Sequence, residues 1–320
     1  GLLAFSPEKP GTTEAQCNYY YAKWATGQQE EAWDGAKALW LTGKSQPNAC
    51  DSLFGAWRAS GKQDPLAYLE RIRLAMKAGN TRLVTTLAGQ MPPEYQTISS
   101  ALIQLANDPK TVMDFARNTG ATDFTRQMAA VAFTSVARDD VENARLMIPS
   151  LAQAQQLNDD QTQELRDIVA WRLMGNDLTD EQARWRDDAI MRSQSTSLVE
   201  RRVRMALGNG DRRGLNTWLA RLPMEAKEKD EWRYWQADLL LERGREDEAK
   251  SILHALMQQR GFYPMAAAQR LGEEYSLKID KAPAGVNAAL VNGPEMARVR
   301  ELMSWNLDTT ARSEWANLVT

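Results

Sequence analysis

Apolar residues recur at three- and four-residue intervals on both sides of five short polar corners, at Gly27, Gly79, Asp139, Gly210 and Gly244. Three and seven residues before each corner stand Trp24 and Tyr20, Met76 and Ile72, Val136 and Ala132, Leu207 and Val203, and Leu241 and Ala237. After the corners, the same four offsets give Ala32, Gly35, Ala36 and Leu39, then Val84, Leu87, Ala88 and Met91. They continue as Ala144, Met147, Ile148 and Leu151, as Leu215, Trp218, Leu219 and Leu222, and as Ala249, Ile252, Leu253 and Leu256. Only Gly35 among these template positions is not apolar. Such spacing places one stripe on one face of a helix. A stripe that returns after every corner predicts an all-α, superhelical stack of antiparallel helix pairs, a tetratricopeptide-like α-solenoid. The corners lie 52, 60, 71 and 34 residues apart. The last interval matches a tetratricopeptide period, and the others imply unmarked pairs between.

Local punctuation sets the expected boundaries. Residues 14–42 read as the first pair, and helices follow at 51–60 and 65–78. The helix from Arg82 stops before Pro92 and Pro93, since proline donates no hydrogen bond and restricts the residue before it. Pro109, Gly120 and Pro149 are expected to interrupt the middle in the same way, and Asp139 to replace glycine in its turn. A helix is expected over 159–175, and Thr179 with Gln182 forms a capping-box pattern. The clearest break runs through 276–293, after which Pro294 opens a helix with a Met296, Val299, Leu302, Met303 stripe. The expected domains are therefore a superhelical region over 1–280, a connector over 281–293 and the first helices of a linker domain over 294–320.

At 320 residues the chain exceeds one ordinary core, and repetition makes an elongated array the economical solution. A net charge of −3 supplies no general field for nucleic acid, and no run approaches the roughly 18 apolar residues of a membrane span. Tryptophans are abundant and mostly fall on helix stripes, where they fill space between helices. The opening residues read like a helix interior, and the chain reads as a piece of something longer.

The residues offer little chemistry. Nucleophilic triads need a histidine, and the single one, His254, sits beside a core stripe. No phosphate-cradling or dinucleotide glycine motif occurs; Gly208-Asn209-Gly210 is a helix corner. No metal site and no cofactor are expected. Cys17 and Cys50 flank the first helix pair, and both a disulfide and two reduced, buried thiols fit the residues alone. A basic stretch holds Arg192, Arg201, Arg202, Arg204, Arg212, Arg213 and Arg221; it reads as a solvated face paired with Glu200 and Asp211. Trp232, Trp235 and Leu239 have core spacing, whereas Tyr234 lies off that stripe and is the surface candidate.

Several strings resemble the soluble lytic murein transglycosylases of enteric bacteria: 1–10 (GLLAFSPEKP), 17–24 (CNYYYAKW), 57–65 (WRASGKQDP), 171–176 (WRLMGN) and 231–238 (EWRYWQAD). The resemblance runs the length of the chain. It implies a periplasmic lyase that cleaves the bond between N-acetylmuramic acid and N-acetylglucosamine of peptidoglycan, leaving a 1,6-anhydro ring. It also implies a helical superhelix closed by a linker domain and carrying a lysozyme-like catalytic domain. The family's oxidising compartment implies a Cys17–Cys50 disulfide. The family's catalytic glutamate stands in a Glu-Ser-x-aromatic motif followed by Gly-Leu-Met-Gln and Ala-Tyr-Asn-Ala-Gly, and none of these strings occurs in residues 1–320. No catalytic residue is therefore assigned, and the chain is expected to be inactive alone. Its expected work is to support that catalytic domain and shape access for glycan strands. Arg73 and Arg204, at the same offset before their corners, are with Tyr234 the candidate substrate contacts. The alternative expectation is a protein–protein interaction scaffold.

Overall fold

The computed structural model describes residues 10–280, which contain helices and turns and, among the described residues, no strand. They divide into two compact units that part between Arg172 and Leu173. The expected connector at 281–293 and linker helices at 294–320 lie outside the described residues.

The first unit holds α1 (Thr13–Ala25), α2 (Gln29–Trp40), α3 (Asp51–Ala59), α4 (Pro65–Lys77) and α5 (Thr81–Gly89). It continues with α6 (Gln96–Asn107), α7 (Val112–Asn118), α8 (Asp123–Asp139), α9 (Val141–Ala154) and α10 (Asp159–Arg172). Neighbours in sequence pack as neighbours in space: α1 on α2, α4 on α5, α5 on α6, α8 on α9 and α9 on α10. α2 also meets α3 and α4, and α4 meets α8, so each pair covers the apolar face of the next. The second unit holds α11 (Asp180–Met191), α12 (Thr196–Gly208), α13 (Arg212–Arg221), the single turn α14 (Met224–Lys227), α15 (Asp230–Glu242), α16 (Glu246–Met257) and α17 (Phe262–Asp280). There α12 packs on α13, α15 on α16, and α16 on α17.

None of the template positions is exposed, so the stripe is the core. Four corners share one termination. Gly27, Gly79, Gly210 and Gly244 take φ of 87°, 71°, 65° and 76°, the left-handed region that costs glycine least. In each, the N–H after the glycine donates to the carbonyl five residues back, for example Asn80 to Ala75 and Asp211 to Ala206, both 2.9 Å. Asn80 and Asp211 then cap the following helix by accepting from Leu83 and Gly214. The Asp139 corner is built differently from expectation. Asp139 stays helical, no left-handed residue is used, and Asp140 turns the chain at φ −150° while capping α9 through Asn143. Gly35 breaks the apolar template for a packing reason: a Cβ there would collide with the Tyr20 ring across the first pair.

Pro149 was expected to end a helix, and it lies inside α9 instead. Its missing N–H forfeits one helical bond, but Ile148 and Leu151 on either side are buried on the stripe and hold the helix through it. The helix expected over 159–175 stops at Arg172, while Thr179 and Gln182 form the expected capping box at the start of α11. Cys17 in α1 and Cys50 in a short 3-10 turn form a disulfide, buried, with Cα atoms 4.9 Å apart.

Candidate functional site

In the first unit a groove of about 530 Å³ opens between α2, α3, α4 and α5. Trp40, Phe54, Arg58, Arg71, Arg82 and Asp51 line it, together with Gln63 and Gln90. Arg71 sits on the inner turn of α4, and only 4% of it is exposed. Its guanidinium lies 4.3 Å above the Trp40 ring and 5.6 Å from that of Phe54, so two aromatic faces offset part of its lost hydration. A buried cation normally carries an anionic partner. Among the described residues Arg71 has none: Nη2 donates a long 3.4 Å bond to the Lys44 carbonyl, and Nε has no acceptor. Burial pushes its pKa down to about 10, with the nearby Tyr68 phenol acting weakly in the opposite sense. Arg58 at the edge donates to the Gln90 carbonyl at 2.8 Å. The groove thus presents three guanidinium groups against one carboxylate, Asp51, which makes no ion pair with Arg71.

Arg73, the expected contact two residues on, lines a different depression of about 280 Å³ with Arg126, Gln155, Gln161 and Glu164. Its charge is already matched: Nε donates to Glu70 Oε2 at 2.9 Å and Nη2 to Oε1 at 2.5 Å. Those hydrogen bonds hold the Glu70 carboxyl below the usual carboxylate range. Gln155 in its lining accepts from Thr125 Oγ1 at 2.9 Å and donates on to the Ala116 carbonyl at 2.9 Å.

The basic stretch of the second unit was expected to be a solvated face paired with Glu200 and Asp211, but Arg202 and Arg204 are buried and bond to other carboxylates. Asp211 caps α13, and Glu200, itself buried, accepts from Lys229 Nζ at 2.9 Å and Trp232 Nε1 at 2.6 Å. Arg204 is buried, donates to both oxygens of Glu231 at 3.1 and 2.9 Å, and stacks 5.0 Å over Trp232. Arg202 stacks 5.2 Å over Trp218 and grips Asp187, Nε to Oδ1 at 2.8 Å and Nη2 to Oδ2 at 3.4 Å. Arg212 bridges Asp238 and Glu242, and Arg221 donates to the Met191 and Ser193 carbonyls. Tyr234 was expected at the surface and is buried, at 5% exposure. It packs with Ala237, Leu253 and Tyr263, because α17 covers a face of α15 that local periodicity leaves open.

Asp187 makes the Arg202 pair sensitive to acid. Burial alone would raise its carboxyl, but hydrogen bonds from Arg202 and Arg186 outweigh that and hold it below its ordinary 3.8. A depressed folded-state value stabilises above the unfolded value and is lost as pH falls through the folded one. Asp187→Asn therefore destabilises the second unit at neutral pH, and the gap to the parent closes below pH 3.8. Urea unfolding at both pH values measures it; an equal gap at both would contradict the pairing.

Among the described residues no three His, Cys, Asp or Glu side chains converge as metal ligands, and no helix is long and apolar enough to cross a membrane. His254 is exposed and has no catalytic neighbourhood.

No family model matches the chain. Over 319 residues, its whole length, it is 87% identical to the soluble lytic murein transglycosylase of Escherichia coli K12, covering 50% of that protein. The corresponding Salmonella typhimurium protein is 86% identical over the same length. A putative soluble lytic murein transglycosylase of Haemophilus influenzae is 35% identical over 167 residues. Among solved structures, the 70-kDa soluble lytic transglycosylase in complex with bulgecin A superposes with a TM-score of 0.82 at 87% identity, over 99% of this chain and 52% of that one. A Pseudomonas aeruginosa lytic transglycosylase, at 24% identity and a TM-score of 0.66, shares the fold. The chain spans about half the length of the relatives it matches. Along its whole length it is similar in sequence to about half of the soluble lytic murein transglycosylases of Escherichia coli and Salmonella typhimurium, and its described residues share the helical fold of the 70-kDa enzyme.

Proposed function

We propose that this chain is the helical support of a periplasmic, peptidoglycan-degrading lytic transglycosylase, and that it holds the catalytic domain and shapes the approach of glycan strands. The observation that carries the proposal is the 87% identity to the E. coli transglycosylase along the entire chain. None of the family's catalytic strings falls within these 320 residues, so the glutamate that would protonate the glycosidic oxygen is not supplied here. Stacked helix pairs suit a supporting role, because each pair buries its stripe on the next and the surface stays free for contacts.

Purified chain incubated with sacculi tests this directly. The expected result is sedimentation with the sacculi at moderate salt and no release of anhydromuropeptides. Release of those products would overturn the supporting role. Partner proteins retained from extract without sacculus binding would replace it with the interaction-scaffold alternative.

A further inference from the structure

The corner at Gly210 differs from the other three glycine corners in the residues that precede it. Thr26, Ala78 and Arg243 stand before Gly27, Gly79 and Gly244, and the Thr26 hydroxyl bonds back to the Ala22 and Lys23 carbonyls. Before Gly210 stands Asn209, itself preceded by Gly208. Residues 208–211 are all exposed, and a Cβ added at Gly208 or Gly210 would meet nothing within 4 Å. Backbone bonds rather than packing hold the segment. The Asn209 N–H donates to the Met205 carbonyl at 3.1 Å, Gly210 to Leu207 at 3.1 Å and Asp211 to Ala206 at 2.9 Å. The Asn209 side-chain amide makes no hydrogen bond among the described residues. Asn209 is also the one asparagine among them that a glycine follows.

We infer that this Gly-Asn-Gly corner is a site of spontaneous deamidation, gated by opening of the turn between α12 and α13. In the step, the Gly210 backbone nitrogen gives its proton to solvent base and attacks the Asn209 side-chain amide carbon. A C–N bond forms, the amide nitrogen leaves as ammonia, and a cyclic succinimide closes. Water then opens the ring at either carbonyl, leaving aspartate or isoaspartate at 209, and nothing is oxidised or reduced. Glycine favours the attack because it has no Cβ beside the nitrogen. The closed corner resists it. Asn209 has ψ of −2°, which turns the Gly210 nitrogen away from the side chain, and Leu207 engages its N–H. Reaction therefore waits on local opening, which costs little where only exposed backbone bonds must break. Both products act on the corner. Aspartate at 209 places a carboxylate at the C-terminus of α12, where the carbonyl ends already carry negative charge. Isoaspartate lengthens the main chain between 209 and 210, which draws the Asp211 N–H off Ala206 and its cap off Gly214.

Peptide mapping by mass spectrometry of the full chain, held either folded or in urea at mildly alkaline pH, tests the site. Asn209 is expected to exchange amide for carboxyl mass in both, about tenfold more slowly in the folded chain. Gly208→Ala stiffens the last turn of α12, where a Cβ has open space, and keeps the fold. It slows conversion further in the folded chain and leaves the rate in urea unchanged. The inference is overturned if Asn209 stays intact in the folded chain over about ten times the period needed in urea. It is equally overturned by the same rate in both states, or by Gly208→Ala slowing both alike.

Discussion

Replacing Cys17 and Cys50 together by alanine destabilises the first unit by about 3–4 kcal/mol, the loop-entropy expectation for a crosslink of this span. The two cysteines are separated by 33 residues and tie α1 to the turn that precedes α3, so the bridge encloses the first helix pair from Cys17 onward. Without it, α1 retains α2 and α3 as packing partners but is held to them by side-chain contacts alone. With its crosslink gone, the first pair opens at a lower free energy than the rest of the unit. Hydrogen exchange over Thr13–Trp40, compared between oxidised, reduced and doubly substituted chain, reads the effect locally. Unchanged protection of α1 and α2 in the reduced chain would contradict it.

Breaking the Arg204–Glu231 pair has the second large effect. Arg204→Met is expected to cost about 3 kcal/mol, because the carboxylate it leaves behind is largely withdrawn from water and has lost both its donors. The stacking over Trp232 is lost in the same change. Arg204→Met with Glu231→Leu removes both charges and recovers much of that loss, since an apolar pair of similar volume tolerates burial. Denaturant unfolding of the two single variants and the double one completes the cycle. An Arg204→Met variant as stable as the parent would show that the pair is not structural and return Arg204 to the candidate substrate contacts.

Both effects concern residues singled out in the sequence, and they fared differently. The corners were legible because glycine at a left-handed position, a cap three residues before a backbone N–H, and an apolar stripe are all written within a few residues of one another. Thr179 with Gln182 is such a case. Pro149 was misread because its local preference against a helix interior is outweighed by the burial of Ile148 and Leu151 beside it. Arg71 was overlooked in favour of Arg73. Adjacency did not separate them, because both flank the stripe residue Ile72, as Arg202 and Arg204 flank Val203.

The amino-acid sequence by itself determined the helices, their corners and the relationship to lytic murein transglycosylases, because each of these depends on residues close along the chain or on strings of identity. Only the tertiary structure decided which charges are matched and which rings are covered. Arg202 meets Asp187 across 15 residues and Arg204 meets Glu231 across 27, while Arg71 meets no carboxylate among the described residues. An ion pair between helices depends on which faces are brought within about 4 Å, and a 3.6-residue period fixes a face but not its neighbour. Tyr234 follows the same logic: it lies off the stripe that α16 covers, and α17 arrives to bury it.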